Sequence, residues 1–314
     1  MPNTVVRLGT RGSQLARWQA QTVADRLAQA GGPRAELVVV RTTGDRLSEA
    51  PLSEIGGKRI FVKELEDALI WREIDLAVHS SKDMSAVLPD GLTVAAVLPR
   101  EDPRDALVLP HGSPAGDWSD VVRRLGVRPR IGTGSVRRIA QLRRALPGAT
   151  FSEIRGNLDT RLRKLDEGSH DALVLAAAGL RRLDFASRIS AAVPANVCVP
   201  APGQGIVAVE IRADDQDLAA ALARIDDEQA HRELDAERAL VAALGGGCQM
   251  PLGGFATTNG DELMLDAIVL SADGGRSIRQ VLTGPAIDAR ALGERMAAAL
   301  LAEGAGALLQ ESTK

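Results

Sequence analysis

A chain of 314 residues favours two or three domains. Its 45% hydrophobic and 25% charged residues suit an ordinary soluble globular protein, and no apolar run is long enough to span a bilayer. A net charge of −3 argues against general nucleic-acid binding.

Val5–Leu8 reads as a short strand, and Gln14–Ala30 as a helix with Leu15, Trp18, Val23 and Leu27 roughly on one face. Gly31-Gly32-Pro33 stops that helix, and Leu37–Val40 follows as a strand, giving a βαβ unit and a largely parallel sheet. Lys63–Arg72 is a second helix. Leu76–Val78 is a buried strand running directly into His79-Ser80-Ser81-Lys82-Asp83, and Leu92–Leu98 and Ala106–Leu109 are further strands. After Gly112–Gly116 the pattern starts again: strand Arg130–Gly132, helix Val136–Leu146, strand Phe151–Ile154, helix Asp159–Glu167, strand Ala172–Ala176. A Pro-rich link spans Pro194–Pro202, and Val207–Ile211 is a buried strand able to return to the first sheet. From Glu228 the pattern changes to a long helix, short strands at Gly253–Ala256, Leu263–Leu270 and Ile278–Leu282, and a final helix over Asp288–Ala302, a smaller α+β unit. Two α/β lobes joined by crossing segments predict a cleft between them, with ligands at the carboxyl ends of parallel strands.

The chain carries two cysteines, Cys198 and Cys248, without CxxC or Cys/His spacing, so neither a metal site nor a disulfide framework is expected. A free cysteine is more often a buried small hydrophobe than a reactive thiol. Cys198, flanked by valines, reads as core. Cys248 follows Gly245-Gly246-Gly247 and precedes Gln249-Met250-Pro251, a loop with unusual backbone angles and little steric cover.

Asp83 lies just past a strand end. By spacing alone it is a turn or capping residue; functionally it is a carboxylate for proton transfer or cation stabilisation in the cleft. His79 beside it reads as a hydrogen-bonded structural histidine. Charge is uneven: Arg123–Lys164 holds twelve basic and two acidic residues. Basic motifs recur at strand–helix junctions: Thr10-Arg11-Gly12-Ser13, Gly132-Thr133-Gly134-Ser135-Val136-Arg137-Arg138, Arg155-Gly156-Asn157 and Thr160-Arg161. Free N–H groups at helix N-termini and forked guanidiniums both suit carboxylates or phosphates. A single arginine among them is most simply a solvated charge; the set together points to an anion. Gly56-Gly57-Lys58-Arg59-Ile60-Phe61 is a basic glycine-rich loop that matches neither a Walker A nor a dinucleotide fingerprint and is a candidate flap.

With these motifs in order, the sequence resembles the porphobilinogen deaminase family over essentially its whole length. The resemblance rests on Thr10–Ala20, Gly56–Glu66, Val78–Asp83, Arg100–Ala106, Gly132–Leu142, Arg155–Leu165, Leu175–Leu183, Pro200–Gly205, Ala236–Ala239 and Gly245–Pro251. It implies three domains, the first two like type II periplasmic binding proteins with a cleft between them and the third a smaller α+β domain. We expect 1–100 with 203–225 to form the first, 101–202 the second and 226–314 the third. The resemblance further implies a transferase that condenses four porphobilinogens head to tail, releasing ammonia each time, into hydroxymethylbilane. Its primer is a dipyrromethane cofactor in thioether linkage, and Cys248 matches the attachment cysteine. Asp83 matches the catalytic aspartate, placed to stabilise the cationic azafulvene left when ammonia departs. Lys82, Ser135, Arg137, Arg138, Arg155 and Gly156 match cofactor contacts. Arg11, Ser13, Lys58, Phe61, Arg155, Arg161, Arg182 and Gln204 match substrate contacts.

Three positions depart from the family's usual pattern: Arg59 in place of glycine, Gly134 in place of serine, and Met84-Ser85 in place of an apolar-proline pair. None removes a core chemical group. A cytoplasmic, monomeric protein without nucleic-acid or membrane partners is expected, since Met1-Pro2-Asn3-Thr4 does not open a signal peptide. A two-lobed binding protein would explain the cleft and the arginines but gives Cys248 no role. An RNA- or DNA-binding reading of Arg123–Lys164 is disfavoured by an aromatic content of 2% with no tyrosine.

Overall fold

The computed structural model describes residues 5–42, 62–245 and 250–311. Its first sheet holds β1 (Val5–Thr10), β2 (Arg34–Val39), β3 (Leu76–Ser80), β4 (Leu92–Val97) and β10 (Val207–Arg212), in the order β2-β1-β3-β10-β4. β1 pairs in parallel with β2 and β3, whereas β10 is antiparallel to both β3 and β4, so four strands run one way and β10 alone runs against them, a largely parallel sheet with one antiparallel strand. β10 lies between two strands and all six of its residues are buried. That is why it reads as a continuous apolar run interrupted only by Glu210 and closed by Arg212.

Helix α1 (Gln14–Gln29) is capped by the Ser13 side chain, which accepts from the Ala16 N–H at 3.2 Å. Its buried stripe is Ala16, Gln19, Ala20, Val23, Ala24 and Leu27, at the three- and four-residue spacing of a helix face. Trp18, expected on that face, is 39% exposed instead. Helix α2 (Lys63–Ile70) leads into β3.

The second sheet holds β5 (Asp105–Val108), β6 (Arg130–Gly132), β7 (Thr150–Ser152), β8 (Ala172–Ala176) and β9 (Ala191–Ala192), ordered β7-β6-β8-β5-β9. Here too the strand entering from the other lobe, β5, is antiparallel to its neighbours β8 and β9. The helices are α3 (Trp118–Leu125), α4 (Val136–Ala145), α5 (Leu158–Asp166) and α6 (Ala177–Arg182); α3 and α6 were not anticipated from the sequence. Helix α7 (Gln216–Leu222) follows β10. Beyond it come α8 (Glu228–Ala243), the antiparallel β11 (Leu252–Asn259), β12 (Glu262–Leu270) and β13 (Ser277–Pro285), then α9 (Ala289–Ala302) and α10 (Ala305–Glu311). This last unit encloses its own core, including Leu240, Leu265, Leu292, Met296 and Leu300.

The chain passes between the first two sheets twice, after β4 and before β10, and the two passes run side by side. Glu101 N–H donates to Gly205 O at 3.1 Å, Arg100 Nε to Gln204 O at 3.0 Å, and Leu98 N–H to Val207 O at 3.0 Å. Gly205 sits at φ +91°, where a Cβ would stand 2.3 Å from Glu101 O, so only glycine lets the strands approach. Arg100 is gripped by Glu237 of α8, with Nη1 to Oε1 at 2.7 Å and Nη2 to Oε2 at 3.2 Å. The same carboxylate accepts from Gly203 N–H and from Ala256 N–H at 2.5 and 2.8 Å, tying the crossing to the third sheet.

Candidate active site

Strand β3 delivers Asp83. All but the last of its residues are buried, and the chain then closes a single 3-10 turn over Ser81–Asp83. The turn is held from behind by Ser81 N–H donating to Ile206 O at 3.0 Å, and by Gln19 Nε2 donating to Ser80 Oγ at 2.9 Å. Gly203, at φ +74°, packs against Ser81; a Cβ there would be 2.7 Å from Ser81 Oγ. The carboxylate is thus set on a rigid strand end rather than on a free loop.

Asp83 borders two cavities. A small one of about 70 Å³ is lined by Arg11, Ser13, Gln19, His79 and the first turn of α1. A larger cleft of about 530 Å³, within the usual range for a small-molecule site, is lined by Lys82, Ser135, Arg137, Arg138 and Gln204, and by apolar Met84, Leu234, Val241 and Leu252. Among the described residues, Asp83 is the one common to both linings. His79 is spent inside the sheet, Nε2 lying 2.9 Å from Glu210 Oε2 with both side chains buried, as a structural histidine should be.

The cations of the larger cleft are pinned from behind. Arg137 Nη2 lies 2.8 Å from Asp105 Oδ2, and its Nη1 donates to Val199 O at 2.7 Å. Arg138 donates from Nε and Nη2 to Asp105 Oδ1 at 2.9 and 2.7 Å, and from Nη1 to Val174 O at 3.1 Å. Gln204 bridges onward, giving Nε2 to Asp105 Oδ1 at 3.0 Å and accepting from Lys82 Nζ at 3.4 Å. Burial, followed by repulsion from Arg138, pushes the Lys82 ammonium down to about 8. Burial alone would raise Asp105, but Arg137 and Arg138 outweigh it and hold the carboxyl well below its usual range. Ser135 caps α4, accepting from Arg138 N–H at 3.4 Å, which leaves its own O–H free to donate.

Arg238 also lines the larger cleft, whereas Arg155, Arg161 and Arg182 lie outside the linings of these two cavities. Arg155 Nε is 2.8 Å from Glu153 Oε1, while its buried Nη2 has no hydrogen-bond partner among the described residues. Gly156, at φ +112°, lends its carbonyl to Arg161 Nε at 2.7 Å. Burial and then repulsion from Arg138 and Arg155 lower the Arg161 guanidinium, against attraction by Glu153 and Asp83. Arg182 joins the lobes, donating to Gly205 O at 2.6 Å with its guanidinium 5.8 Å from the Trp18 ring, which explains why Trp18 leaves the core face. At Gly134 a Cβ would come within 3.2 Å of Glu153, so the absent side chain leaves room for the partner of Arg155. Lys58, Arg59, Phe61 and Cys248 lie outside the described residues, although Gly245 and Met250, which flank residues 246–249 in sequence, line the larger cleft. Cys198 is fully buried and burial pushes its thiol up to about 12. The residues missed from sequence are Asp105, Glu237 and the cleft-lining Arg238; the only available signal was their place in the matched Arg100–Ala106 and Ala236–Ala239 stretches.

Fold and site together define a two-lobed α/β protein with an appended third unit, whose cationic cleft has one carboxylate set at a strand end. Residues 6–220 match the family model described as "Porphobilinogen deaminase, dipyromethane cofactor binding domain", and residues 231–302 match "Porphobilinogen deaminase, C-terminal domain". The chain belongs to the porphobilinogen deaminase family. It is 43% identical over 312 residues to the porphobilinogen deaminase of Syntrophobacter fumaroxidans, covering 99% of each protein. It is 45% identical over 311 residues to that of a Roseiflexus species, covering 98% of this chain and 99% of that one. Among solved structures, the Bordetella pertussis BvgS VFT2 domain aligns over 71% of this chain and 86% of its own, at 19% identity and a TM-score of 0.41. That likeness is too loose to carry an argument.

Proposed function

We propose that Asp83 is the carboxylate around which porphobilinogen units are joined, and that Cys248 anchors the primer on which they are built. The chain is a transferase that condenses four porphobilinogens, with loss of ammonia, into the linear tetrapyrrole hydroxymethylbilane. The observation carrying the residue assignment is that, among the described residues, Asp83 alone borders both cavities. An incoming monomer on one side and a growing end on the other would then meet across a single carboxylate.

The residues fit a dipyrromethane. Each pyrrole brings an acetate and a propionate, and the cleft offers Lys82, Arg137, Arg138 and the Ser135 hydroxyl, with the orphaned Nη2 of Arg155 in the same lobe. When bound, the dipyrromethane supplies the nucleophilic pyrrole carbon that begins the chain. The protein's part is charge and position. Departure of ammonia from the aminomethyl group of porphobilinogen leaves a cation, which the Asp83 carboxylate stabilises. After the carbon–carbon bond forms, the displaced ring proton has to leave, and the same carboxylate is placed to receive it. Arg11 and Ser13 line the smaller cavity beside Asp83, where they would orient the carboxylates of the incoming monomer. Arg161, Arg182, Gln204, Lys58 and Phe61 complete the proposed substrate contacts, and Gly156 joins the cofactor set. Among the described residues no helix is long and apolar enough to cross a membrane. A cytoplasmic monomer without nucleic-acid partners completes the reading.

Intact-mass measurement tests it. The purified protein should exceed its sequence mass by two linked pyrroles, and should gain further pyrrole units on mixing with porphobilinogen. Cys248→Ser should carry no adduct. An adduct that persists in that variant, or maps to Cys198, overturns the anchor.

A further inference from the structure

Asp105 opens β5 with no exposed surface, lies outside the lining of the larger cleft, and has no part in the chemistry above. Five donors nevertheless converge on it. Its Oδ1 receives Arg138 Nε at 2.9 Å, Arg138 Nη2 at 2.7 Å and Gln204 Nε2 at 3.0 Å. Its Oδ2 receives Arg137 Nη2 at 2.8 Å and the Cys198 thiol at 3.4 Å. Both oxygens are thereby saturated, so Asp105 is not available to a ligand.

Helix geometry gives this cluster its meaning. Arg137 and Arg138 are consecutive on α4, and consecutive helical side chains point about 100° apart, so neighbours in sequence do not share a face. Both nevertheless line the same cleft, and both are almost fully buried. A common anchor behind them is what makes them converge. The anchor occupies only part of each guanidinium: of the five N–H groups of an arginine, Arg138 commits Nε, one on Nη1 and one on Nη2, leaving others to face the cleft. Two carboxylates, Asp83 in the lining and Asp105 behind it, among four cations, Lys82, Arg137, Arg138 and Arg238, also leave the wall net positive, as a polyanion requires.

We propose that Asp105 is the positioning residue of the cationic wall, holding Arg137 and Arg138 by their rear edges and Lys82 through Gln204, so that their remaining N–H groups meet the carboxylates of a bound polypyrrole. This rests on the function proposed above. The charged groups acting on Lys82 are Arg138 and Arg137, which disfavour its protonated form, and Asp83 and Asp105, which favour it. Removing the Asp105 charge therefore makes Lys82 lose its proton at a lower pH. That shift reports the lost charge; weaker loading in a variant that still folds reports the lost positioning, which a purely structural role would not produce.

The test uses the full chain with Asp105→Asn, which keeps the shape and removes the charge. Cofactor-free protein is incubated with porphobilinogen, and three quantities are read: adduct fraction by intact mass, the alkaline limb of loading against pH, and thermal unfolding by circular dichroism. Loading at limiting substrate should fall about tenfold or more, as for loss of a charged hydrogen-bond anchor, and the alkaline limb should move toward acid. Wild-type loading with an unmoved limb overturns the proposal, as does a lowered unfolding temperature with loading and limb unchanged. If Asp105→Asn does not fold, Asp105→Glu decides: it retains the charge but moves the carboxylate by one methylene. Severalfold weaker loading with the limb in place supports positioning, and wild-type loading overturns it. Wild-type protein that takes up no adduct at all sinks the proposed function instead, so the two failures are distinct.

Discussion

Replacing Glu237 by glutamine isolates the contact that ties the crossing segments to the third unit. The carboxylate is fully buried and accepts four hydrogen bonds: two from Arg100 at 2.7 and 3.2 Å, and one each from the N–H groups of Gly203 and Ala256 at 2.5 and 2.8 Å. Glutamine fits the space but turns one acceptor into a donor. At either position the NH₂ group then faces both a guanidinium N–H and a backbone N–H, because each Glu237 oxygen accepts one of each, and Arg100 is left buried with reduced compensation. Removing one partner of a buried pair costs about 3–5 kcal/mol. Glu233, 3.4 Å from Arg100 Nη1, and the Phe255 ring, 4.9 Å from its guanidinium, recover part of that. We therefore expect a loss of about 2–4 kcal/mol, or about 4–8 °C in Tm for a chain of this size. Calorimetry of the wild type, Glu237→Gln and Glu233→Gln is the assay. Glu233→Gln should cost much less, about 1 kcal/mol, because its link to Arg100 is longer and secondary. Because Glu237 joins separately cored units, Glu237→Gln should also broaden or split the transition. A Glu237→Gln melting curve that overlays the wild type would refute the argument, since it would mean the buried carboxylate does no more than a neutral amide.

Three further outcomes follow from the site. Asp83→Asn should lower turnover by about 100-fold or more while leaving the melting curve cooperative; near-normal turnover in a cofactor-loaded sample removes its proposed role. Lys82 should give loading an alkaline limb near pH 8, because carboxylates bind its protonated form and the free ammonium is already pushed down to about 8. The corresponding stability effect has the opposite sense: with its folded value below the unfolded one, cofactor-free protein binds fewer protons between those values, so Lys82 makes stability rise as pH climbs through that window. Chemical unfolding of cofactor-free Lys82→Met, which should lose that rise, checks it. Cys198→Ala should keep full adduct mass with only a modest stability loss, since the thiol is buried and burial pushes it up to about 12; loss of the adduct in that variant would reassign the anchor.

Much of the fold was legible in the pattern of residues. Buried strands such as Leu76–Ser80 and Val207–Arg212 are nearly continuous apolar runs, and the long helices announce themselves through periodicity and through stops such as Gly31-Gly32-Pro33. Short elements escaped: α6 is six residues long and β9 two, too short for any period to register. Trp18 was misplaced because an indole on a helix looks like core, whereas its partner, Arg182, lies in the other lobe. The placing of Asp83 just beyond a strand end was readable locally, because a strand and the turn that closes it are contiguous in sequence.

The sequence by itself determined which chemical groups are present, a thiol after three glycines among them, and the local backbone that carries a carboxylate at a strand end and arginines at helix starts. Tertiary structure alone decided what those groups face. Asp105 is 33 positions from Arg138 and 93 from Cys198, and Glu237 is 137 from Arg100. A carboxylate in a strand carries no local mark of the cation that will neutralise it. Consecutive arginines on a helix diverge until something behind them draws them together. Burial makes such pairing compulsory, since an uncompensated charge inside the protein is too costly to keep. The partner is chosen only when the two crossing segments bring the sheets into contact.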